Sequence, residues 1–518
     1  MNELENETSV RPSLTRRQLL KAAAGGVTFL ALAPIGRGLF AATLPTLPTD
    51  PALPLFIALP YIQHGGGDGK LVNGQETIVV AWQTNGVPAQ YGVEYSKDKR
   101  LDHTAEIKQK TRWSGDKADG EQRLNFSASL TGLDLNTRYN YRVKLNGRTV
   151  LEGYFTTRKP RGVTTRFVTF GDNSFGEVSD RAIAYQAYKA RPDFVMNTGD
   201  NVYENGLDNE YARYFFPVYN ADVPGPRVGA PLLRSVPFYT VIANHDVHDK
   251  GPMGPVADFA KNPDSLAYFT NMYLPTNGLD AAHITPAIGP DAALTKFKEC
   301  ADGRFPRMAN YSYDYGDAHF LCLDSNIYVD PTDAKLQAWI EADLKATDAA
   351  WKFVVYHHPA FNVGDDHYAE QHMRALSPLF ERQGVDIVLH GHEHTYQRTR
   401  PFRFAPTDLS GAKAINDKHR LVPGTFTIDP HFDGKTVTKP DGVLYLVTGA
   451  GGKHLYDPES NDNPHKWLHP EDNNADYVAR FVSDRHSLTV VEMDAKSLQF
   501  TQIDEWGAEI DRFTVTKA

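Results

Sequence analysis

Between Leu55 and Thr157 apolar and polar positions alternate in short runs. Thr77-Ile78-Val79-Val80-Ala81-Trp82, Tyr91-Gly92-Val93-Glu94-Tyr95, Phe126-Ser127-Ala128-Ser129-Leu130, Tyr139-Asn140-Tyr141-Arg142-Val143 and Tyr154-Phe155-Thr156-Thr157 are separated by turn residues. Every second side chain of a strand shares a face, so short strands at near-regular spacing predict a small β-sandwich. Lys159-Pro160-Arg161-Gly162 marks its boundary, which gives a domain over 55–160.

From Val163 the pattern changes to short, continuous apolar runs. Arg166–Phe170 runs into Gly171-Asp172-Asn173, and Asp193–Thr198 into Gly199-Asp200-Asn201-Val202-Tyr203. Phe238–Ile242 runs into Ala243-Asn244-His245-Asp246, Lys352–Tyr356 into His357-His358-Pro359, and Val385–Leu389 into His390-Gly391-His392-Glu393-His394. Such runs read as buried strands. Open α/β sheets gather ligands at the carboxyl ends of their strands. Brought together, these ends supply carboxylates, an amide oxygen, imidazoles and a phenol, a mixed N/O set larger than one zinc ion needs. Two metal ions sharing a carboxylate are therefore expected.

Helical patterns fall between the strands. Ser179–Ala190 fits a helix capped by Ser179, and Lys335–Lys345 and His372–Arg382 read as helices. Tyr311–Tyr315 and His319–Asp324 read as strands of a second sheet, which the alternating tail Leu488–Thr516 is expected to close. The prediction is an α/β (α+β) chain: an N-terminal β-sandwich, then a two-sheet αββα domain over 163–518. Phe216–Arg234 and Gly251–Asp302 are long and rich in Pro and Gly, as loops walling a cleft are. Pro401–Asp441 reads as an insertion, and Gly449-Ala450-Gly451-Gly452 as a tight turn beside the site.

Composition adds less. The chain has 518 residues, 41% hydrophobic and 23% charged, so more than one packed domain is available. Met1–Ala42 is set aside as an export segment. Thr15-Arg16-Arg17-Gln18-Leu19-Leu20-Lys21 precedes a small, apolar run from Ala22 to Ala33, which resembles a twin-arginine signal. The run is shorter than the roughly 20 residues a membrane-spanning helix needs. Residues 43–54 read as a Pro/Thr-rich linker. Met1–Ala42 carries five basic and three acidic residues, so its removal takes the formal charge from −10 to −12. No basic stripe remains, which argues against nucleic acid as a partner. Cys300 and Cys322 could pair in an oxidising compartment, but a buried free thiol is an ordinary use of Cys322.

The ordered motifs GD (Gly171-Asp172), GDNVY (Gly199–Tyr203), NHD (Asn244–Asp246), VVYH (Val354–His357) and GHEHTYQR (Gly391–Arg398) resemble those of the binuclear metallophosphoesterases. Tyr203, three residues after the second Asp, makes the resemblance one to the purple acid phosphatases. The segment from Leu130 to Val143 resembles the fibronectin-type-III-like domain that many of them carry. The resemblance implies Asp172, Asp200, Tyr203 and His394 on one metal and Asp200, Asn244, His357 and His392 on the other, with Asp200 bridging. It implies ferric iron beside Tyr203 and zinc, manganese or ferrous iron as the second ion. The implied reaction is phosphomonoester hydrolysis by a hydroxide generated on the metal pair, with His245 and then His367 as candidate proton donors. A phosphodiesterase or pyrophosphatase is the alternative on the same centre, and an inert adhesion protein led by the β-sandwich is the alternative of another class. Two departures stand out: Ala243 replaces the usual glycine before Asn-His, and His367 stands alone where plant-type enzymes carry two histidines. His358, His390 and His248 are expected to orient ligands or lie at the surface. His319 is expected to be structural, and His372 a helix-surface residue or a substrate contact. The implied partners are a small-molecule phosphate ester and, during export to the periplasm or medium, the twin-arginine machinery.

Overall fold

The computed structural model describes residues 53–65, 67–114, 120–247, 262–280, 291–414 and 420–517. The export segment, nearly all of the 43–54 linker, and His248 lie outside these residues. The N-terminal strands are β1 (Phe56–Gln63), β2 (Glu76–Asn85), β3 (Tyr91–Ser96), β4 (His103–Ala105), β5 (Ile107–Ser114), β6 (Glu121–Leu133), β7 (Arg138–Leu145) and β8 (Arg148–Thr156). They form two antiparallel four-stranded sheets, ordered β1-β2-β6-β5 and β4-β3-β7-β8. The period-two alternation explains how the first sheet is buried on both sides. Ile62, Ile78, Val80 and Trp82 enter the sandwich core, whereas Ala58, Tyr61, Val79 and Ala81 join the core of the following domain.

Polar contacts fix this junction. Asp208 accepts hydrogen bonds from Arg123 at 2.5 Å, Gln83 at 3.0 Å and Asn271 at 2.9 Å, all out of solvent. Arg158 donates to Glu76 from two nitrogens and to the Asp314 carbonyl.

The second domain holds two large sheets. The six-stranded sheet has the order β11-β10-β9-β21-β22-β23 and the seven-stranded sheet the order β12-β13-β14-β15-β19-β16-β20. The ranges are β9 (Thr165–Phe170), β10 (Phe194–Asn197), β11 (Phe238–Thr240), β12 (Tyr311–Tyr315), β13 (Ala318–Cys322), β14 (Trp351–Val355), β15 (Ile387–His390), β16 (Tyr396–Thr399), β19 (Leu444–Thr448), β20 (Val478–Val482), β21 (Ser487–Met493), β22 (Ser497–Asp504) and β23 (Glu509–Thr516). A separate hairpin, β17 (Phe402–Pro406) with β18 (Gly424–Ile428), occupies the expected insertion. The sheets meet through aromatic rings: Phe167 and Phe194 each lie 5.5 Å from Phe320, and Tyr239 stacks on Tyr313 at 3.6 Å. Offset and edge contacts of this kind add to the area they bury.

Three expectations change. The tail does not extend the sheet that holds β12 and β13; β21 pairs antiparallel with β9 and brings β22 and β23 to the six-stranded sheet. Ser179 does not cap its helix. The helix is Val178–Ala190, and Asp180 receives the amides of Ser174, Phe175, Gly176 and Glu177, while the Ser179 hydroxyl donates to Gly452 O. The segment from His372 splits into a 3₁₀ turn, His372–Leu376, and a helix, Ser377–Arg382, where Pro378 has no N–H to continue the earlier turn. Cys300 and Cys322 are both free thiols.

Candidate metal centre

Strands β9, β10 and β11 run parallel, as do β13, β14, β15 and β19. The predicted donors therefore issue from the same ends of both sheets. Just past these ends Asp172 (φ 58°), Asp200 (φ 49°) and His392 (φ 68°) turn into the left-handed region. Asp, Asn and His tolerate that region better than most residues. The glycines before them allow close approach. A Cβ on Gly199 would lie 2.8 Å from His357 Nδ1, and one on Gly391 would lie 2.6 Å from Asp172 Oδ2.

The structure brings six of the seven predicted ligands, all but Asn244, together in two groups. In the first, Tyr203 Oη lies 3.1 Å from His394 Nε2 and 3.3 Å from Asp172 Oδ1, and His394 Nε2 lies 3.4 Å from Asp172 Oδ1. In the second, His357 Nε2 lies 3.3 Å from Asp200 Oδ2, and Asp200, His357 and His392 each offer a donor atom within 4.8 Å of the others. Asn244 opens the short helix Asn244–Val247 that follows β11, and its Oδ1 is buried without a hydrogen-bond partner, as is His357 Nε2. Two donors each about 2.1 Å from one ion, at right angles, lie about 3 Å apart. The spacings and the orphaned buried atoms fit metal ligation.

Each ligand imidazole has its other nitrogen committed. His357 Nδ1 donates to Thr198 O at 2.9 Å, leaving Nε2 as the donor atom. His394 Nδ1 donates to His454 O at 2.7 Å, again freeing Nε2. His392 Nε2 donates to Glu370 Oε2 at 3.0 Å, freeing Nδ1. Such partners orient the ring and select its tautomer.

The electrostatics agree. Burial opposes the charge on Asp200, yet His357 and His245 hold its pKa well below the usual carboxylate range. Burial, Asp200 and Asp172 raise the Tyr203 phenol well above its ordinary value, so a strongly charged neighbouring cation is what would make it a phenolate. Burial and the charge of His367 push His392 down to about 4, leaving a neutral ring at neutral pH.

The two proton-donor candidates stand beside different groups. His245 packs on Tyr203 at 4.4 Å, and its Nδ1 donates to Glu204 O at 2.8 Å. His367 lies 3.9 Å from the His392 ring, and its Nδ1 donates to Glu370 Oε1 at 2.8 Å. Burial lowers the His367 pKa, but Glu370 outweighs it and leaves it above the ordinary imidazole value.

The other histidines divide. His358 is buried 4.4 Å from His392 and bonds Ser325. His390 is buried between Tyr356 and Tyr445 with both nitrogens unpartnered. His319 bridges Asp314 and Asp343, a structural pairing. His372 is not on the surface: it is buried and bonds Ser325 O. Sequence reasoning missed Glu370, which serves both His367 and His392. It also missed Tyr456, stacked on His394 at 4.0 Å, and Lys453, whose Nζ bonds Glu204 and lies 4.3 Å from the centre of the Tyr203 ring. Glu370 had one signal, its place three residues after His367.

The calcineurin-like phosphoesterase family matches residues 166–396, and the purple acid phosphatase N-terminal domain matches residues 70–159. Purple acid phosphatase 17 of Arabidopsis thaliana is 27% identical over 57% of this chain and 81% of its own length. An uncharacterized protein of Mycobacterium tuberculosis is 23% identical over 86% of this chain and 85% of its own. The purple acid phosphatase isolated from yellow lupin (Lupinus luteus) seeds shares the fold, with a TM-score of 0.61 at 18% identity over 88% of this chain and 74% of that one. The chain joins a purple acid phosphatase N-terminal domain to a calcineurin-like phosphoesterase domain and is similar to purple acid phosphatases over both, which makes it a phosphatase hydrolase.

Proposed function

We propose that the chain hydrolyses phosphomonoesters outside the cytoplasm. One observation supports this reading: Asp172, Asp200, Tyr203, His357, His392 and His394 come together in two groups, with every ligand imidazole set to present its free nitrogen. Asp172, Tyr203 and His394 would hold one ion, Asn244, His357 and His392 the other, and Asp200 would bridge. Ferric iron suits the phenol-bearing group, and zinc, manganese or ferrous iron the group with two imidazoles. When bound, such a pair supplies Lewis-acid polarisation of phosphoryl oxygens and acidifies water.

The chain's own side chains supply the rest. His245 and His367 each commit Nδ1 as a donor, to Glu204 O and to Glu370. Each can therefore release a proton from Nε2 only when its ring is the imidazolium. Two such rings, one beside Tyr203 and one beside His392, suit a substrate that arrives as a dianion and leaves an alkoxide needing a proton. Lys453 and Phe175 pack against the Tyr203 side and keep it dry.

The test is turnover of an alkyl phosphomonoester and its matched diester by purified protein supplied with iron and zinc. Faster monoester turnover supports the reading. Faster diester turnover transfers the assignment to a phosphodiesterase, and no turnover of either defeats it. Export rests on Arg16-Arg17, so replacing both with Lys should leave folded enzyme in the cytoplasm, as cell fractionation would show.

A further inference from the structure

The segment Lys453–Tyr456 touches Asp172, Tyr203 and His394, the donors of the first group. The Lys453 amide donates to Asp172 O at 3.0 Å, the His454 carbonyl receives His394 Nδ1 at 2.7 Å, and Tyr456 stacks on His394 at 4.0 Å. The side chain of Lys453 turns to Tyr203. Its Nζ lies 4.3 Å from the centre of the Tyr203 ring and 3.2 Å from that of Phe175. Both distances fall inside the roughly 6 Å over which an aromatic face attracts a cation. An apolar side chain of similar length would fill this space without the cost of burying an ammonium. Lys453 meets that cost through Glu204, whose Oε1 accepts from Nζ at 2.7 Å. The pair is lopsided: the Lys453 side chain is 6% exposed and that of Glu204 43%. Water and salt screen the carboxylate more than the ammonium, which leaves a net positive field on the Tyr203 ring.

We propose that Lys453 is a positioning residue that acts through Tyr203: its charge sets how strongly the phenolate donates electrons, and so the reduction potential of the iron that Tyr203 would hold. The inference rests on the reading of that group as a ferric site. A phenolate gives electron density to ferric iron and so favours the ferric state. An ammonium over the ring holds that density back and makes the ferrous state easier to reach. The effect is larger in a dry site than in water, because the charge is less screened there. The ammonium also sits over the ring, whereas the ion would bind at Oη, on the rim. It therefore lowers the energy of the phenolate's electrons more than that of the iron's. The phenolate-to-iron band then lies at shorter wavelength than it would without Lys453.

The experiment records visible spectra and a redox titration of the full chain loaded with iron and zinc. Lys453→Met keeps an unbranched stem and removes the charge. Its band should move to longer wavelength and its Fe(III)/Fe(II) potential should fall. Lys453→Arg keeps the charge and should return both toward the wild type. Glu204→Gln removes the opposing anion at a partly exposed position, so it should move the band to shorter wavelength and raise the potential. Packing damage alone would not give shifts of opposite sign. An unmoved band and potential in folded, iron-replete Lys453→Met would overturn the proposal, as would shifts of the same sign in Lys453→Met and Glu204→Gln. Should Lys453→Met fail to fold or to hold iron, Glu204→Gln decides, and an unmoved band there overturns the proposal. Wild-type protein replete in oxidised iron but without the band would sink the ferric reading, and this proposal with it.

Discussion

Replacing Glu370 with Gln tests how the centre is held. The carboxylate accepts from His392 Nε2 at 3.0 Å and from His367 Nδ1 at 2.8 Å, and its side chain is only 12% exposed. A glutamine keeps the shape but offers one acceptor oxygen and an NH₂ group, so one of the two imidazole N–H groups must face a donor. A hydrogen bond to a charged partner is worth about 1.5–3 kcal/mol. Loss of a bond that orients a ligand typically costs about 10–100-fold in metal affinity, or about 1.4–2.7 kcal/mol, so the two figures agree. Dialysis of the two-metal enzyme against a graded chelator, followed by metal analysis, should show one ion leaving at a 10–100-fold lower chelator concentration while the other stays. The pH profile should move as well. Glu370 holds the His367 pKa above its ordinary value. A group with a raised pKa stays protonated to higher pH, so the variant should lose activity at lower pH on its alkaline limb. Unchanged chelator sensitivity together with an unchanged alkaline limb would refute the reasoning, as would simultaneous loss of both ions.

Three further outcomes are expected. Oxidised, iron-loaded protein should absorb visible light through a phenolate-to-iron band, and Tyr203→Phe should abolish it; an active, iron-replete, oxidised wild type with no such band would remove Tyr203 from the ligands. His245→Ala should cut turnover of alkyl phosphates about 10²–10⁴-fold and that of nitrophenyl phosphate less, with metal content intact; equal losses would make His245 a phosphate contact and not a proton donor. Asp208→Ala strands Arg123, whose side chain is 6% exposed, at the junction of the two domains, and should destabilise the protein by about 3–5 kcal/mol in urea unfolding monitored by fluorescence.

Much of this centre was legible in the sequence because it is written at strand ends. The runs ending in Asp172, Asp200, Asn244, His357 and His392 are short and β-branched or aromatic, and each stops on a residue that coordinates metals. The sandwich was legible for a similar reason, since period two survives where one face of a sheet meets solvent, as along Arg138–Leu145. What stayed hidden depends on tertiary pairing. Nothing in the alternation of β21 says which sheet edge it will meet. Asp180 outcompeted Ser179 as a cap because a carboxylate can gather several amides at once, and the local pattern does not show where those amides will be. Glu370 and Tyr456 act across chain separations of 22 and 62 residues, the spans from Glu370 to His392 and from His394 to Tyr456, and no period links such positions.

The three ligand imidazoles are not equally exposed to genetic change. His357 and His394 are oriented by the carbonyls of Thr198 and His454, and every amino acid at those two positions would still present a carbonyl. His392 is oriented by a side chain, which a single codon change can remove or replace. Variation that retunes metal preference through ligand orientation should therefore gather on an ion held by His392, while the ligand orientation for an ion held beside Tyr203 would be inherited with the backbone.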